Sequence, residues 1–418
     1  MPTAAKTPEH TIIIGAGVIG ICCAYYLTRR GLRVTVIESE EVASQASKGN
    51  AGSIAPGHEP INKPGRTLQA IKWMMRSTSP LYVAPRPDPA LARWLWSFRK
   101  FCDKGHFERA MAVLGPMGHR SAELFEELRD ENLDCHYDTG GYYAVYRTRD
   151  GFDRARRDAE LLPKLGYAPE ILDGAAMRDR EPALGDIVGG ALYPESSWCD
   201  PCLFVRHLAD RVVARGGAVQ TRRTAKRLML EGARVVGVDT DEGVLASDLV
   251  LVAAGSQTSQ LLTNTRLRLP LQPAKGYHRD YANGPGVPSL RLPCVLGEAY
   301  VFCTPIANRL RLAGTLEFSG FNLDLRRERL EQLSLAAQQY YRDVHLPAPT
   351  SEWVGQRPCL PDGLPALGLV EAHPGLAIAT GHAMMGLTLG PVSGLLMAQI
   401  VLGERPEIDI AMLRPDRF

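Results

Sequence analysis

The 418-residue sequence has no unbroken apolar run of the kind that spans a membrane, and it has no imbalance of charge. Lysine and arginine number 48 against 46 aspartates and glutamates, a formal charge of +2, which gives no electrostatic reason to expect nucleic acid as a partner. Ala383 to Gly403 carries no charge and approaches bilayer length, but several glycines and Pro391 interrupt it, so a buried helix is expected there. The nine cysteines form no regular framework, and the expectation is reduced intracellular thiols in the cytoplasm. Cys199-Asp200-Pro201-Cys202 has the spacing of half a zinc site, but no second such pair exists, so no metal is expected. Residues 1–10 lack the apolar centre of a secretion signal, and there are no internal repeats.

What is present begins with an α/β pattern. Thr11 to Ile14 is an apolar run, followed by Gly15-Ala16-Gly17-Val18-Ile19-Gly20, a helical pattern to Arg30, and a second run from Val34 to Ile37. A glycine turn between strand and helix lets backbone N–H groups and the positive helix end approach a pyrophosphate, through Gly15, Gly17, Val18, Ile19 and Gly20. Glu38 follows the second strand, where a carboxylate can accept hydrogen bonds from a ribose diol and would repel a 2′-phosphate. The small polar stretch Ser44 to Ser53 suits a loop that reaches further along a dinucleotide.

Further on, prolines from Pro56 to Pro89 mark loops, and amphipathic helices are expected from about Leu91 to Leu128 with a break near Gly115 and Pro116. The α/β texture returns with a helix at Leu203 to Arg215, a strand at Ala218 to Thr221 and an apolar run from Leu249 to Ala254. Short β-like runs follow between Leu267 and Phe318, including Cys294 to Leu296, Tyr300 to Cys303 and Leu310 to Ala313. A charged helix is expected at Arg326 to Val344, a strand at Leu376 to Thr380, and a last helix near Gly390 to Leu402. The expected architecture is α/β: a Rossmann-like dinucleotide domain in three segments (1–56, 200–265 and 351–418) and an α+β substrate domain. The latter takes a helical part from 57–199 and an antiparallel sheet from 266–350.

The order GAGVIG, VTVIE, SKGNAGSIAPG resembles the start of the FAD-dependent D-amino-acid oxidase superfamily, and most closely its bacterial D-amino-acid dehydrogenases. Asp200-Pro201, Ala253-Ala254-Gly255, Lys275-Gly276-Tyr277, Leu310 to Phe318, Gln356 to Gly363 and Thr380-Gly381-His382 continue it in order. The resemblance implies FAD, held also by Ser47, Asn50, Ala51, Gly52, Ala225, Gly255, Gly381, His382, Gly386, Leu387 and Thr388. No cysteine lies beyond Cys359 and Lys48-Gly49 offers no histidine, so a non-covalent flavin is expected.

The same resemblance makes Arg357 the anchor of a substrate carboxylate, with Arg311 a competing candidate, and places Tyr277 where a phenol could bond that carboxylate. His58 and His278 lie on neighbouring segments and are expected to be structural. Ala383 and Leu387 depart from the family pattern, which puts substrate preference in doubt. The implied reaction is oxidation of a D-amino acid by hydride transfer from Cα to flavin N5, giving an imino acid that hydrolyses to a keto acid. The alternatives are oxidation of a secondary amine such as D-proline, hydroxy-D-proline, sarcosine or glycine, or a role as flavoprotein subunit of a larger dehydrogenase. Electrons would then pass to a quinone, a partner protein or oxygen. A quinone would suit peripheral contact with the inner membrane face.

Overall fold

The computed structural model describes residues 7–64, 73–160 and 162–418. A six-stranded sheet runs in the order Ala218–Gln220, Arg33–Ile37, His10–Ile14, Leu249–Val252, Leu376–Thr380, Ala366–Leu369, and only the last strand is antiparallel. Its strands are apolar on both faces because both are covered. Ile13, Val36 and Leu251 meet the helices Val18–Arg29, Pro201–Ala214 and Gly386–Val401. Ile12, Ile14, Val250 and Val252 meet a three-stranded antiparallel sheet, Ala225–Glu231, Arg234–Thr240 and Gly243–Ala246.

The uncharged stretch near the C-terminus is the buried helix Gly386–Val401, and no helix among the described residues is long and apolar enough to cross a membrane. It lies so close to Val18–Arg29 that a β-carbon on Gly394 would stand 2.5 Å from the Cys22 carbonyl oxygen. All nine cysteines are free thiols.

The region 57–199 is less helical than its sequence suggests. Leu81–Val83, Tyr142–Tyr146, Glu170–Asp173 and Gly189–Tyr193 are strands of a nine-stranded sheet that also holds Gln272–Ala282, Cys294–Leu296, Val301–Ile306, Arg309–Phe318 and Ser351–Cys359. That sheet is mostly antiparallel, with parallel pairings of Cys294–Leu296 to Tyr142–Tyr146 and of Arg309–Phe318 to Leu81–Val83. The expected helix break at Gly115 and Pro116 is also corrected. One helix ends at Lys100, Asp103 caps the next by accepting from His106 N–H at 2.9 Å, and Lys104–Asp130 then continues through Pro116. A mid-helix proline costs about 3 kcal/mol. Here Ala110, Leu114, Met117, Leu124 and Phe125 pack onto the nucleotide-side core, and that burial outweighs one lost backbone bond.

One face of the large sheet is covered by helix Arg327–Tyr340, through Leu330 and Leu333 against Leu312, Val301, Cys303 and Leu296. The opposite face looks onto a cavity. Trp353, His278, Ala313, Phe302, Val295 and Ala144 stand directly opposite one another on six successive strands and therefore share that face.

Candidate active site

The cavity has a volume of about 1250 Å³ and reaches from the carboxyl edge of the six-stranded sheet to the open face of the large one. That exceeds the roughly 1,000 Å³ upper range of single-ligand pockets, so a dinucleotide and a small substrate can both be housed.

At the nucleotide end, strands His10–Ile14 and Arg33–Ile37 are parallel, so the glycine turn and Glu38 emerge at the same edge. Gly15 has φ +108°, and a β-carbon there would lie 2.6 Å from the Ala253 carbonyl oxygen. A β-carbon on Gly17 would meet, among the described residues, only the Ser47 hydroxyl, at 3.3 Å, and Gly17 lines the cavity. Val18 N–H donates to Ser47 Oγ at 2.9 Å, while Ala16 N–H donates to Glu38 Oε2 at 2.8 Å. The carboxylate is thereby held at the cavity wall with Ile19, Asn50, Ala51, Ala225 and Gly255. Three of the glycines expected at the cofactor do not line the cavity. Gly20 closes against the Gly15 carbonyl, Gly52 (φ +82°) abuts the Cys199 carbonyl, and Gly381 (φ +82°) abuts Leu360; each shapes the backbone instead.

Helix Gly386–Val401 begins in the cavity wall with no side chain among the described residues capping it, and Gly386, Leu387 and Thr388 line the space in front. Thr388 Oγ1 accepts from Ala55 N–H at 3.1 Å, which ties this end to the chain just after strand Ser53–Ile54. His382 lies beside it, 2 % exposed, with Nε2 bonded to Ser393 Oγ at 2.9 Å and Nδ1 without a partner among the described residues. Burial pushes its pKa down to about 3, so the ring is neutral. An uncapped helix start and an orphaned ring nitrogen at one wall, opposite a carboxylate and a glycine turn at the other, fit a flavin ring at this end and its adenosine at the far end.

Arg311 belongs to neither ligand. It makes a two-pronged bond to Asp280, both at 2.8 Å, and donates to the carbonyls of Lys48 and Asn50 at 3.2 and 2.8 Å. It anchors the Ser47–Gly52 loop to the large sheet. Burial opposes ionisation of Asp280, but bonding and charge from Arg311 hold its carboxyl below the usual value. His278 bridges the same junction, with Nδ1 3.2 Å from the Gly49 carbonyl oxygen and its ring stacked on Trp353 at 5.3 Å. Burial, then the Arg311 charge, brings its pKa to about 4.

At the end of the cavity formed by the large sheet, Arg357 donates from Nη1 to the Thr315 carbonyl at 2.7 Å. Among the described residues no carboxylate lies within ion-pair distance of it, and burial lowers its pKa below the ordinary guanidinium value. Gly276 and Gly355 pair across adjacent strands. The Arg357 guanidinium folds over the first and the Trp353 ring over the second; a β-carbon on Gly276 would meet Nη1 at 2.2 Å, and one on Gly355 would meet Cζ2 at 2.0 Å. Both side chains line the cavity.

Tyr277 does not join them. Strand alternation turns it to the helix-covered face, where it is 1 % exposed and donates to Glu317 Oε2 at 3.1 Å in a buried group with Lys275 and Arg329. His58 does line the cavity; its Nδ1 is 2.7 Å from the Glu59 carbonyl oxygen, and burial with the Lys63 charge lowers its pKa to about 4. Asp200, inside the CxxC, caps helix Pro201–Ala214 and pairs with Arg309 at 2.6 Å. Trp353, Phe302 and Tyr142 were not singled out from sequence. Nothing local marks them: an aromatic residue on a strand is usually core, and only the cross-strand register shows which face it takes.

Residues 10–400 match the family described as FAD dependent oxidoreductase (DAO). The chain is 32% identical to D-amino acid dehydrogenase 1 of Mesorhizobium japonicum, with 97% of this chain and 99% of that protein covered. It is 33% identical to a D-amino acid dehydrogenase of Methylobacterium nodulans, with 96% of each covered. In fold it is similar to glycine oxidase from Geobacillus kaustophilus, at a TM-score of 0.76 and 21% identity over 98% of this chain and 99% of that one.

Proposed function

Since the chain belongs to the DAO family of FAD-dependent oxidoreductases, we propose that it oxidises D-amino acids to imino acids, which water converts to keto acids and ammonia. The observation that carries the substrate assignment is Arg357. A half-buried guanidinium on the cavity wall, with a backbone carbonyl as its one hydrogen-bond partner among the described residues, is stabilised by an incoming carboxylate.

In this reading FAD is held non-covalently by Glu38, by the Gly15–Gly17 turn and by the loop that Arg311 anchors. When bound, FAD supplies a hydride acceptor for the substrate Cα–H bond. Arg357, steadied by Thr315 and Gly276, fixes the carboxylate and so the direction of that bond. His382 stays neutral, and it and the uncapped helix start favour negative charge on the adjacent edge of the site. Trp353 and Phe302 exclude water from the reacting end. Among the described residues no side chain stands as a base for the amine, so the substrate is bound with its amine neutral or loses that proton to solvent.

The test is product analysis with the purified protein and an artificial electron acceptor. Keto acid and ammonia formed one to one from a D-amino acid, and not from its L-enantiomer, are expected. Turnover of sarcosine or D-proline alone would replace this reading by secondary-amine oxidation.

A further inference from the structure

We infer that the site selects D-amino acids with aromatic or long aliphatic side chains over D-alanine, and that Phe302 and Val295 set this preference; the inference rests on the D-amino-acid reading above. Arg357 springs from strand Ser351–Cys359 but ends at the Thr315 carbonyl, two strands away on Arg309–Phe318. The carboxylate site therefore lies over that strand. Beyond it the same face continues across Val301–Ile306, Cys294–Leu296 and Tyr142–Tyr146, three further spacings or about 14 Å of sheet.

Along this run the lining is Ala313, Phe302, Val295 and Ala144, with no charge on any of them. Gly297 leaves the next position bare beneath the Tyr146 ring: a β-carbon there would be 2.2 Å from Cε1. Tyr142 closes the far end, 6.2 Å from the Phe302 ring and stacked on Tyr193 at 4.8 Å. Glu298, a carboxylate on the cavity wall, is already engaged by the Thr148 hydroxyl at 2.7 Å and by the Thr148 N–H at 3.0 Å. Ala313, Phe302, Val295 and Ala144 thus make an apolar slot that starts at the carboxylate anchor. A methyl group does not reach past the first spacing, whereas a benzyl or isobutyl group lies against Phe302 and Val295. Each methylene buried in such a slot is worth about 10-fold or more in discrimination.

The experiment compares kcat/KM for D-alanine, D-leucine, D-phenylalanine and D-aspartate in the wild-type holoenzyme, in Phe302→Ala and in Val295→Phe. The wild type is expected to favour D-phenylalanine over D-alanine by about 10-fold or more. Phe302→Ala removes the wall and Val295→Phe fills the slot, and each is expected to cut that ratio about 10-fold with flavin content unchanged. Binding of 3-phenylpropionate and of propionate, followed by thermal shift, reads the slot without turnover. The former is expected to bind more tightly, and Val295→Phe to abolish the difference. Equal or reversed preference in both measurements would overturn the inference while leaving D-amino-acid oxidation standing. Tight 3-phenylpropionate binding by a protein that no D-amino acid reduces would uphold the slot and reject the reaction.

Discussion

The Arg357 guanidinium lies against the bare α-carbon of Gly276, where a methyl group would come within 2.2 Å of Nη1. The glycine is the seat that lets a long side chain from a neighbouring strand lie flat and reach the Thr315 carbonyl. Gly276→Val should therefore reproduce much of the defect of Arg357→Ala without touching the arginine. With Arg357 in the proposed role of carboxylate anchor, its loss costs roughly 2–5 kcal/mol, a fall of about 30- to 1000-fold or more in kcat/KM. Arg357→Lys recovers charge but not the two-pronged bond and should stay well below wild type. Steady-state kinetics, with flavin content measured in parallel, checks this; an Arg357→Ala protein with full activity would refute the anchor.

Arg311 makes the opposite prediction. It lies outside the cavity and bonds Asp280 and the carbonyls of Lys48 and Asn50, so it holds the Ser47–Gly52 loop, proposed above to carry the cofactor, against the large sheet. Arg311→Met should weaken flavin retention about 10-fold, seen as flavin lost on gel filtration. The KM for substrate in protein saturated with added FAD should change little. Asp280 keeps Arg309 at 3.2 Å, so the fold survives the change.

Acid stability should show the buried imidazoles. His278 at about 4 and His382 at about 3 lie below the ordinary 6.5, because burial disfavours their charged forms. The unfolded chain binds those protons first. Their contribution is present above pH 6.5 and is lost as pH falls toward about 4, by roughly 2 kcal/mol per histidine between pH 6.5 and 4.5. Carboxylates held low, such as Asp280, lose their contribution only at more acid pH. Urea midpoints measured across that range should fall less steeply in His382→Gln than in the wild type.

Much of this was legible in the sequence. The glycine turn with Glu38 follows from close approach and parallel strands, and the observed hydrogen bonds from Val18 to Ser47 and from Ala16 to Glu38 add only the detail of how the turn is locked. Strands Cys294–Leu296 and Leu376–Thr380 match their expected bounds. Pro116 misled because propensity is local, and packing of Leu114 and Met117 on distant residues overrides it. Tyr277 misled for a different reason. Neighbouring positions on a strand point to opposite faces, and a Lys-Gly-Tyr string does not say which face meets the cavity. The pairing of Gly276 with Gly355 is likewise invisible without the register.

The most direct test is anaerobic reduction of the bound flavin, followed at its oxidised absorption band, with D- and L-enantiomers of one bulky amino acid added in turn. Rapid bleaching by the D-enantiomer, absent with the L-enantiomer and lost in Arg357→Ala, is the predicted result. Purified protein without flavin, or flavin that no D-amino acid bleaches, would contradict the account.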